Sequence, residues 1–251
     1  MAEIKTEALI LKTIPFKETS KIVRVYTRDK GKIAAIARGA SRPKSDFRGK
    51  LDPLNYIEVI IYYKESRQVQ TLGDIELLDS FLSDSRDLAS VYYAVAILES
   101  LDKFIDGTED NSEVFTLTSK TLQRVDKEPQ FARLLLVYYL LQLADIMGYR
   151  INLVNCSICN KKLKKGFYNT SEDHLICAKC SYPNDMELSA QEIDFFRTIF
   201  NQTPESIKLT SFSDVDVTGA GKFLLKYLGW HMEVSPVLKS LKTLRDLKLE
   251  S

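Results

Sequence analysis

Histidine is nearly absent: the 251 residues hold two, His174 and His231, and no HExxH pair that would set up a catalytic metal. Cysteine is scarce as well, with four, all of them between positions 156 and 180. Long apolar runs are missing; the longest, 134–141, is too short to span a bilayer and reads as part of a buried helix. The opening MAEIKTEALILK has no apolar core of the kind a secretory signal needs, so a cytoplasmic, reducing location away from membranes is expected. There is no internal repeat and no low-complexity tail. The stretch DVTGAGK at 216–222 suggests a phosphate loop but fails as one. Its first glycine would have to stand at Asp216, and Phe223 replaces the hydroxyl residue, so Gly219 and Gly221 are expected to serve helix packing or a loop. These absences argue against a zinc hydrolase, a deaminase or a nucleotide hydrolase, and the chain is expected not to be an enzyme.

What is present is concentrated. The four cysteines form two CxxC pairs, Cys156/Cys159 and Cys177/Cys180, separated by seventeen residues. Each pair can turn two thiolates to one point, and the intervening segment can return as a hairpin, so four sulfurs can surround one tetrahedral ion. Zinc is the expected occupant. Four sulfur ligands leave no open position, so the role is structural. Two disulfides or idle thiols are the alternative, which clustering in a chain without a secretion signal disfavours. His174 lies in the intervening loop, where it could displace a cysteine but is expected at the surface. Lys161, Lys162, Lys164 and Lys165 keep a secondary nucleic-acid contact open for this module.

The formal net charge of +1 hides an uneven distribution. Residues 1–50 carry thirteen Lys and Arg against five Asp and Glu, near +8, whereas residues 81–150 carry seven against eleven, near −4. A basic lobe points to a polyanionic partner, most commonly nucleic acid.

Through residue 81 the chain reads as five short strands, TEALILKT, KIVRVYTR, KIAAIARG, NYIEVIIYY and VQTLGDIELL, which suits a small barrel. An OB-fold is the commonest of these and an SH3-like barrel the other possibility. Asp29-Lys30-Gly31 supplies a tight turn. In the second strand Val23 and Val25 point one way and Arg24, Tyr26 and Arg28 the other, so with the valines inside a cationic and aromatic stripe faces out. Around it stand Phe16, Lys17 and Lys21 in the first loop and Lys64 and Arg67 between the last two strands. Rings can stack on bases while cations follow phosphates. Between strands three and four, ARGASRPKSDFRGKLDP carries Arg38, Arg42, Lys44, Arg48 and Lys50 with Phe47, and Gly39, Pro43, Gly49 and Pro53 make it a loop. Such a loop could wrap a phosphate backbone with little sequence discrimination. A merely solvated charged surface is the plain alternative.

Beyond residue 81 the pattern turns helical. Ser85 is expected to cap a helix reaching Ile105 with Leu88, Val91, Tyr92, Val95 and Leu98 on one face. A second helix should run from Ser112 to Lys127. A third starts at Pro129 and ends at Gly148, apolar nearly all round except for Arg133, and should be the central buried element. After the cysteine module, Ser189 and Glu192 form a capping box, and further helices are expected over 217–230 and 237–249. The predicted class is α+β multidomain: a five-stranded barrel at 1–81, a helical domain at 82–152 and 185–251, and a four-cysteine zinc-binding module inserted at 153–184.

The segments ALILKTIPFKETSKIVRVYTRDKGKIAAIARGASRPKS, FRGKLDPLNYIEVIIYY and GDIELLDSF, the Met147-Gly148-Tyr149 helix end and the cysteine quartet, in this order, resemble the bacterial recombination mediator family RecO across almost the whole chain. The resemblance implies an N-terminal OB-fold, a helical domain and a zinc-binding insertion. It implies binding of single- and double-stranded DNA, annealing of complementary strands, and help for RecA in displacing single-strand-binding protein during repair, in the cytoplasm at the nucleoid. RecR and the acidic, apolar tail of the single-strand-binding protein are the implied partners. Carried over, DNA contacts fall on Arg24, Arg28, Arg38, Arg42, Lys44 and Arg48, and Arg133 could receive the tail's carboxylates. The residues alone also allow a zinc-containing RNA-binding or scaffolding module.

Overall fold

The computed structural model describes residues 2–83, 85, 87–107, 112–169, 174–183, 185–208 and 216–249, with the side chains of 169 and 174 outside that description. The placement expected for His174 therefore lies outside the described residues.

The expected five strands are β1 (Ala2–Phe16), β2 (Ser20–Thr27), β3 (Gly31–Ala37), β4 (Asn55–Tyr63) and β5 (Gln70–Ser80). They close into a barrel in the order β1-β2-β3-β5-β4, antiparallel except where β3 meets β5. This is the five-stranded OB-fold. Alternation of β-branched residues drives closure: Val23, Val25, Ile33, Ile57, Val59 and Ile61 all point inward and are at most 3% exposed. Gly31, at φ +57, makes the expected tight turn. Gly73 allows a close crossing, since a Cβ there would stand 2.9 Å from the Tyr62 ring, where the β4–β5 register shifts.

Three helical elements belong with the barrel: α1 (Leu88–Phe104), α2 (Ser112–Lys127) and a 3-10 turn at Pro129–Phe131. The cap of α1 is Asp87, which accepts from the Ala89 amide at 3.0 Å; Ser85 instead accepts the Asp87 amide at 3.2 Å. The buried face of α1 also differs from expectation. Ser90, Tyr93, Ala94, Ile97, Leu101 and Phe104 are buried, while Leu88 is 55% exposed and Val91, Tyr92 and Val95 are half-buried. Of the expected stripe only Leu98 is buried. The helix touches β1, α2 and α6 (Lys239–Asp246), and its orientation is set by the buried set Tyr93, Ile97, Leu101 and Phe104 with the small residues Ser90 and Ala94 between them.

Helix α6 is fastened by Glu99 of α1, whose carboxylate accepts from the Lys239 amide at 2.7 Å and the Ser240 amide at 3.0 Å. One compact unit accordingly contains the barrel, α1, α2 and α6, and the other runs from Arg133 to Val237. The sequence-based division at 81 and 185 groups these helices differently.

A carboxylate also ties strand to strand in the first unit. Glu7 accepts from the Tyr56 hydroxyl at 2.6 Å and from Arg28 Nε at 2.8 Å. The Tyr56 hydrogen bond foremost, then Arg28, holds the Glu7 carboxyl below its ordinary value against the opposing effect of burial. A depressed carboxylate stabilises the fold above its unfolded pKa, and that contribution disappears as pH falls through the folded value. Tyr56→Phe is therefore expected to lower stability near neutral pH by about 1 kcal/mol and to shrink the acid-side loss. Urea midpoints measured from pH 7 down to 3 check this; an unchanged slope would remove Glu7 from the acid response.

In the second unit α3 (Ala132–Ile146) is central, with every residue of 134–141 buried. It ends at Gly148, φ +84, as expected. Helix α5 (Val217–His231) is capped by Asp216, whose carboxylate accepts from the Gly219 amide at 2.8 Å. A Cβ at Gly221 would lie 3.4 Å from Val137, so this glycine sits at the α3–α5 contact and the would-be phosphate loop is a helix start. The sheet β7-β6-β8 (His174–Ile176, Gly166–Asn169, Met186–Leu188) leads through the Ser189/Glu192 capping box into α4 (Ala190–Phe200). No helix among the described residues is long and apolar enough to cross a membrane.

Candidate nucleic-acid interface and metal centre

The fourteen residues marked out for nucleic acid fall into two groups. The stripe on β2 is largely consumed within the first unit. Val23 and Val25 face the core as expected, but Tyr26 is fully buried, stacked on Phe115 of α2 at 6.5 Å. Its ring is therefore unavailable to bases, and the expectation of an exposed tyrosine is corrected. Arg24 donates to both oxygens of Asp102 at 2.6 and 2.9 Å. Arg28 pairs with Glu7 and lies 4.6 Å from the Phe115 ring centre. Lys32, on the neighbouring strand, donates to the carbonyls of Asp102 and Ile105 at the end of α1. The outer barrel face thus holds the helices of its own unit. Nothing within a short window of β2 announces Asp102 or Phe115, seventy to ninety residues away.

The 38–54 loop behaves differently. It folds as consecutive turns, closed by amide-to-carbonyl bonds from Arg42 to Gly39, Ser45 to Arg42, Arg48 to Ser45 and Lys50 to Phe47, each 3.0–3.1 Å. Buried Leu51 and Leu54 and the half-buried Phe47 fasten it to the barrel end. Lys50 is also spent, donating to the Ile75 carbonyl at 2.9 Å. Phe47 is half-buried and packs against the core, so only part of its ring is left open for the stacking contact expected of it. Fastening the apolar residues leaves Arg38, Arg42, Lys44 and Arg48 exposed, and none forms an ion pair among the described residues.

The β1–β2 turn joins this end, since the Ser41 amide donates to the Thr19 carbonyl at 2.9 Å. It presents exposed Lys17, 5.5 Å from the centre of the half-buried Phe16 ring, and half-buried Lys21, which pairs in register with Ala37. Lys12, passed over in the sequence, lies in register with Arg24. Lys64 and Arg67 are exposed on a loop organised by Gln70, whose side chain bonds the Lys64 amide and the Lys64 and Arg67 carbonyls. The structure therefore gathers Lys17, Lys21, Arg38, Arg42, Lys44 and Arg48 about one barrel end, and commits Arg24, Tyr26, Arg28 and Lys50 to internal contacts. Unpaired cations held on a rigid closed barrel can meet phosphates without first breaking an internal bond.

In the second unit all four cysteine sulfurs lie within 4.8 Å of one another, and Cys159 and Cys177 are 3.7 Å apart. Four thiolates about 2.3 Å from one tetrahedral ion would stand roughly 3.8 Å apart, so the cluster has the dimensions of a metal site. The thiols are free rather than paired in disulfides. Backbone bonds shape each knuckle: Asn160 donates to the Cys156 carbonyl at 2.8 Å with φ +57, Cys156 to Lys161 at 2.8 Å, and Cys180 to Cys177 at 2.9 Å.

Burial pushes the Cys156 thiol up, but amides of Cys159, Cys177 and Ile158 outweigh it and bring it down to about 6. The Lys179 amide foremost lowers Cys177. Burial, reinforced by the other thiols, pushes Cys180 up to about 12. Four thiolates cannot share this volume without a cation, and a divalent ion reverses the repulsion. The arrangement is compatible with a structural metal. Arg197 of α4 holds the module's flanks by donating to the carbonyls of Leu153 and Leu163. Arg133 sits half-buried at the start of α3, engaged within the protein.

Comparison with known proteins is consistent along the chain. Residues 1–81 match the family described as Recombination protein O N terminal and residues 85–242 the family described as Recombination protein O C terminal. A DNA repair protein RecO from Caldanaerobacter subterraneus subsp. tengcongensis is 27% identical over 236 residues, 93% of this chain and 95% of that protein. One from Salinibacter ruber is 34% identical over 145 residues, 58% of this chain and 56% of its own. One from Clostridium novyi is 25% identical over 245 residues, 97% and 94% of the two chains.

Proposed function

This chain belongs to the recombination protein O family, and from that premise we propose that it is a non-enzymatic mediator of DNA repair. It binds single- and double-stranded DNA, anneals complementary strands, and helps RecA load onto DNA coated with single-strand-binding protein. The names of its relatives, DNA repair protein RecO, support the repair setting. The observation that carries the binding reading is the barrel end, where Arg38, Arg42, Lys44 and Arg48 stand exposed and unpaired among the described residues while other cations of the same domain are internally committed.

Annealing calls for no catalytic group. A cationic surface lowers the repulsion between two phosphate backbones, and base pairing chooses the sequence. The cysteine centre holds zinc, a soft thiolate-binding ion, in a coordinatively full and structural role. RecR and the acidic tail of the single-strand-binding protein are the partners, with Arg133 a contact for that tail, and the protein works in the cytoplasm at the nucleoid.

The test is annealing of complementary strands precoated with single-strand-binding protein, with and without RecR, in the presence of matched RNA competitor. Faster annealing that RecR enhances and RNA competes poorly is expected. No acceleration, or preferential capture by RNA, would overturn the reading in favour of an RNA-binding module.

A further inference from the structure

Lysines cluster a second time, in the compact unit that does not contain the barrel. Lys161, Lys162 and Lys164 follow the first knuckle, and Lys179 lies inside the second; all four are exposed. The knuckles converge on one point, with the Cys159 and Cys177 sulfurs 3.7 Å apart, so the two sets of lysines flank one cluster. An isolated bridge between Asn155 and Lys162 and the buried Leu163, 1% exposed, fix the first set outward. The nearby Lys165 is spent on Glu187 at 2.9 Å, but these four pair with no carboxylate among the described residues.

Apolar side chains accompany the charge. Tyr182 is 61% exposed and Ile158 is 53% exposed, the tyrosine held in a turn in which its amide donates to Asp185 at 2.7 Å. An exposed ring three residues beyond the unpaired Lys179 has the composition of a single-strand platform, where bases stack and phosphates meet ammonium groups.

We propose that the cysteine module is a second polynucleotide surface, which holds one single strand while the barrel end holds another. The proposal rests on the DNA-binding reading and deepens it: one chain brings two strands together because each compact unit carries its own cationic surface.

The test uses the full chain with Lys161→Gln, Lys162→Gln and Lys164→Gln combined, and separately Tyr182→Ala, each checked for unchanged metal content and melting temperature. Binding of labelled oligo-dT is followed against salt, and annealing of two complementary strands is timed. Loss of three phosphate contacts should flatten the log–log salt slope by about 2, and annealing should slow about tenfold. Tyr182→Ala should weaken oligo-dT binding about fivefold or more. Wild-type slope and annealing rate in the lysine variant, with wild-type affinity in the tyrosine variant, would overturn the second surface while leaving the barrel reading intact. A wild-type chain that neither binds nor anneals DNA would overturn both.

Discussion

Replacing Cys156 and Cys159 with Ser is expected to strip the metal and to melt the module while leaving the barrel end functional. Two of four thiolates vanish, and with them the tetrahedral set whose sulfurs now converge within 4.8 Å. In small zinc domains ion binding contributes about 10–16 kcal/mol to folding. Here the helices have their own core, so only part of that is at stake. The exposed core is specific: Cys156, Leu163, Tyr168, Leu175 and Ile176 are each at most 2% exposed, and the knuckles hold the chain that covers them. A loss of at least about 3 kcal/mol is the expected scale, comparable to removing a large buried side chain. At about 2–4 °C for each kcal/mol in a chain of this size, the melting temperature should fall by roughly 6–12 °C. Metal analysis should find about one ion per wild-type chain, a single tetrahedral site's complement, and little in the variant. Limited proteolysis should open first within 153–183. A melting temperature indistinguishable from wild type would remove the clamp role altogether, and loss of DNA affinity in a still-stable variant would make the module the primary contact.

The barrel and the cysteine centre were legible because each is written locally. Alternating β-branched residues, the Asp29-Lys30-Gly31 turn and paired CxxC spacings are all short-range signals, and the closed barrel and sulfur cluster follow from them. The Ser189/Glu192 box and the span Ser112–Lys127 were equally local. The misread elements share a different property. The outward face of β2 can be read from alternation, but whether Tyr26 meets water or Phe115 depends on a helix about ninety residues away. The same holds for Arg24, whose partner Asp102 carries no signal beyond being one acid in an acidic region. Charge counting saw a basic lobe and an acidic helical segment as separate facts; in the fold part of each neutralises the other. The orientation of α1 was missed because its neighbours, β1, α2 and α6, come from three parts of the chain. Glu99 as the cap of α6 is a contact across 140 residues that no periodicity encodes.

That redistribution of charge sharpens the remaining large effect, on DNA affinity. Combining Arg42→Ala, Lys44→Ala and Arg48→Ala removes three exposed cations from the barrel end without touching the residues that fasten the loop, Phe47, Leu51 and Leu54. Each lost phosphate contact is worth about 1 kcal/mol or more, so affinity should fall roughly a hundredfold at moderate salt. The log–log salt slope for single-stranded DNA should flatten by about 2, at about 0.7 for each phosphate released. Melting should be nearly unchanged, because these side chains make no ion pair among the described residues. Arg24→Ala is the informative contrast. Its guanidinium is hydrogen-bonded to both oxygens of Asp102, and removing it leaves that carboxylate and Lys32 to rearrange at the α1 terminus. Arg24→Ala should therefore cost about 1 kcal/mol of stability, toward the upper limit for a half-exposed pair, and leave the salt slope as in wild type. Anisotropy titrations across a salt series, with urea unfolding on the same preparations, separate the two outcomes. If Arg24→Ala flattened the slope while the triple variant did not, the DNA path would run over the β2 face and the helices α1 and α2 would have to move aside to admit it.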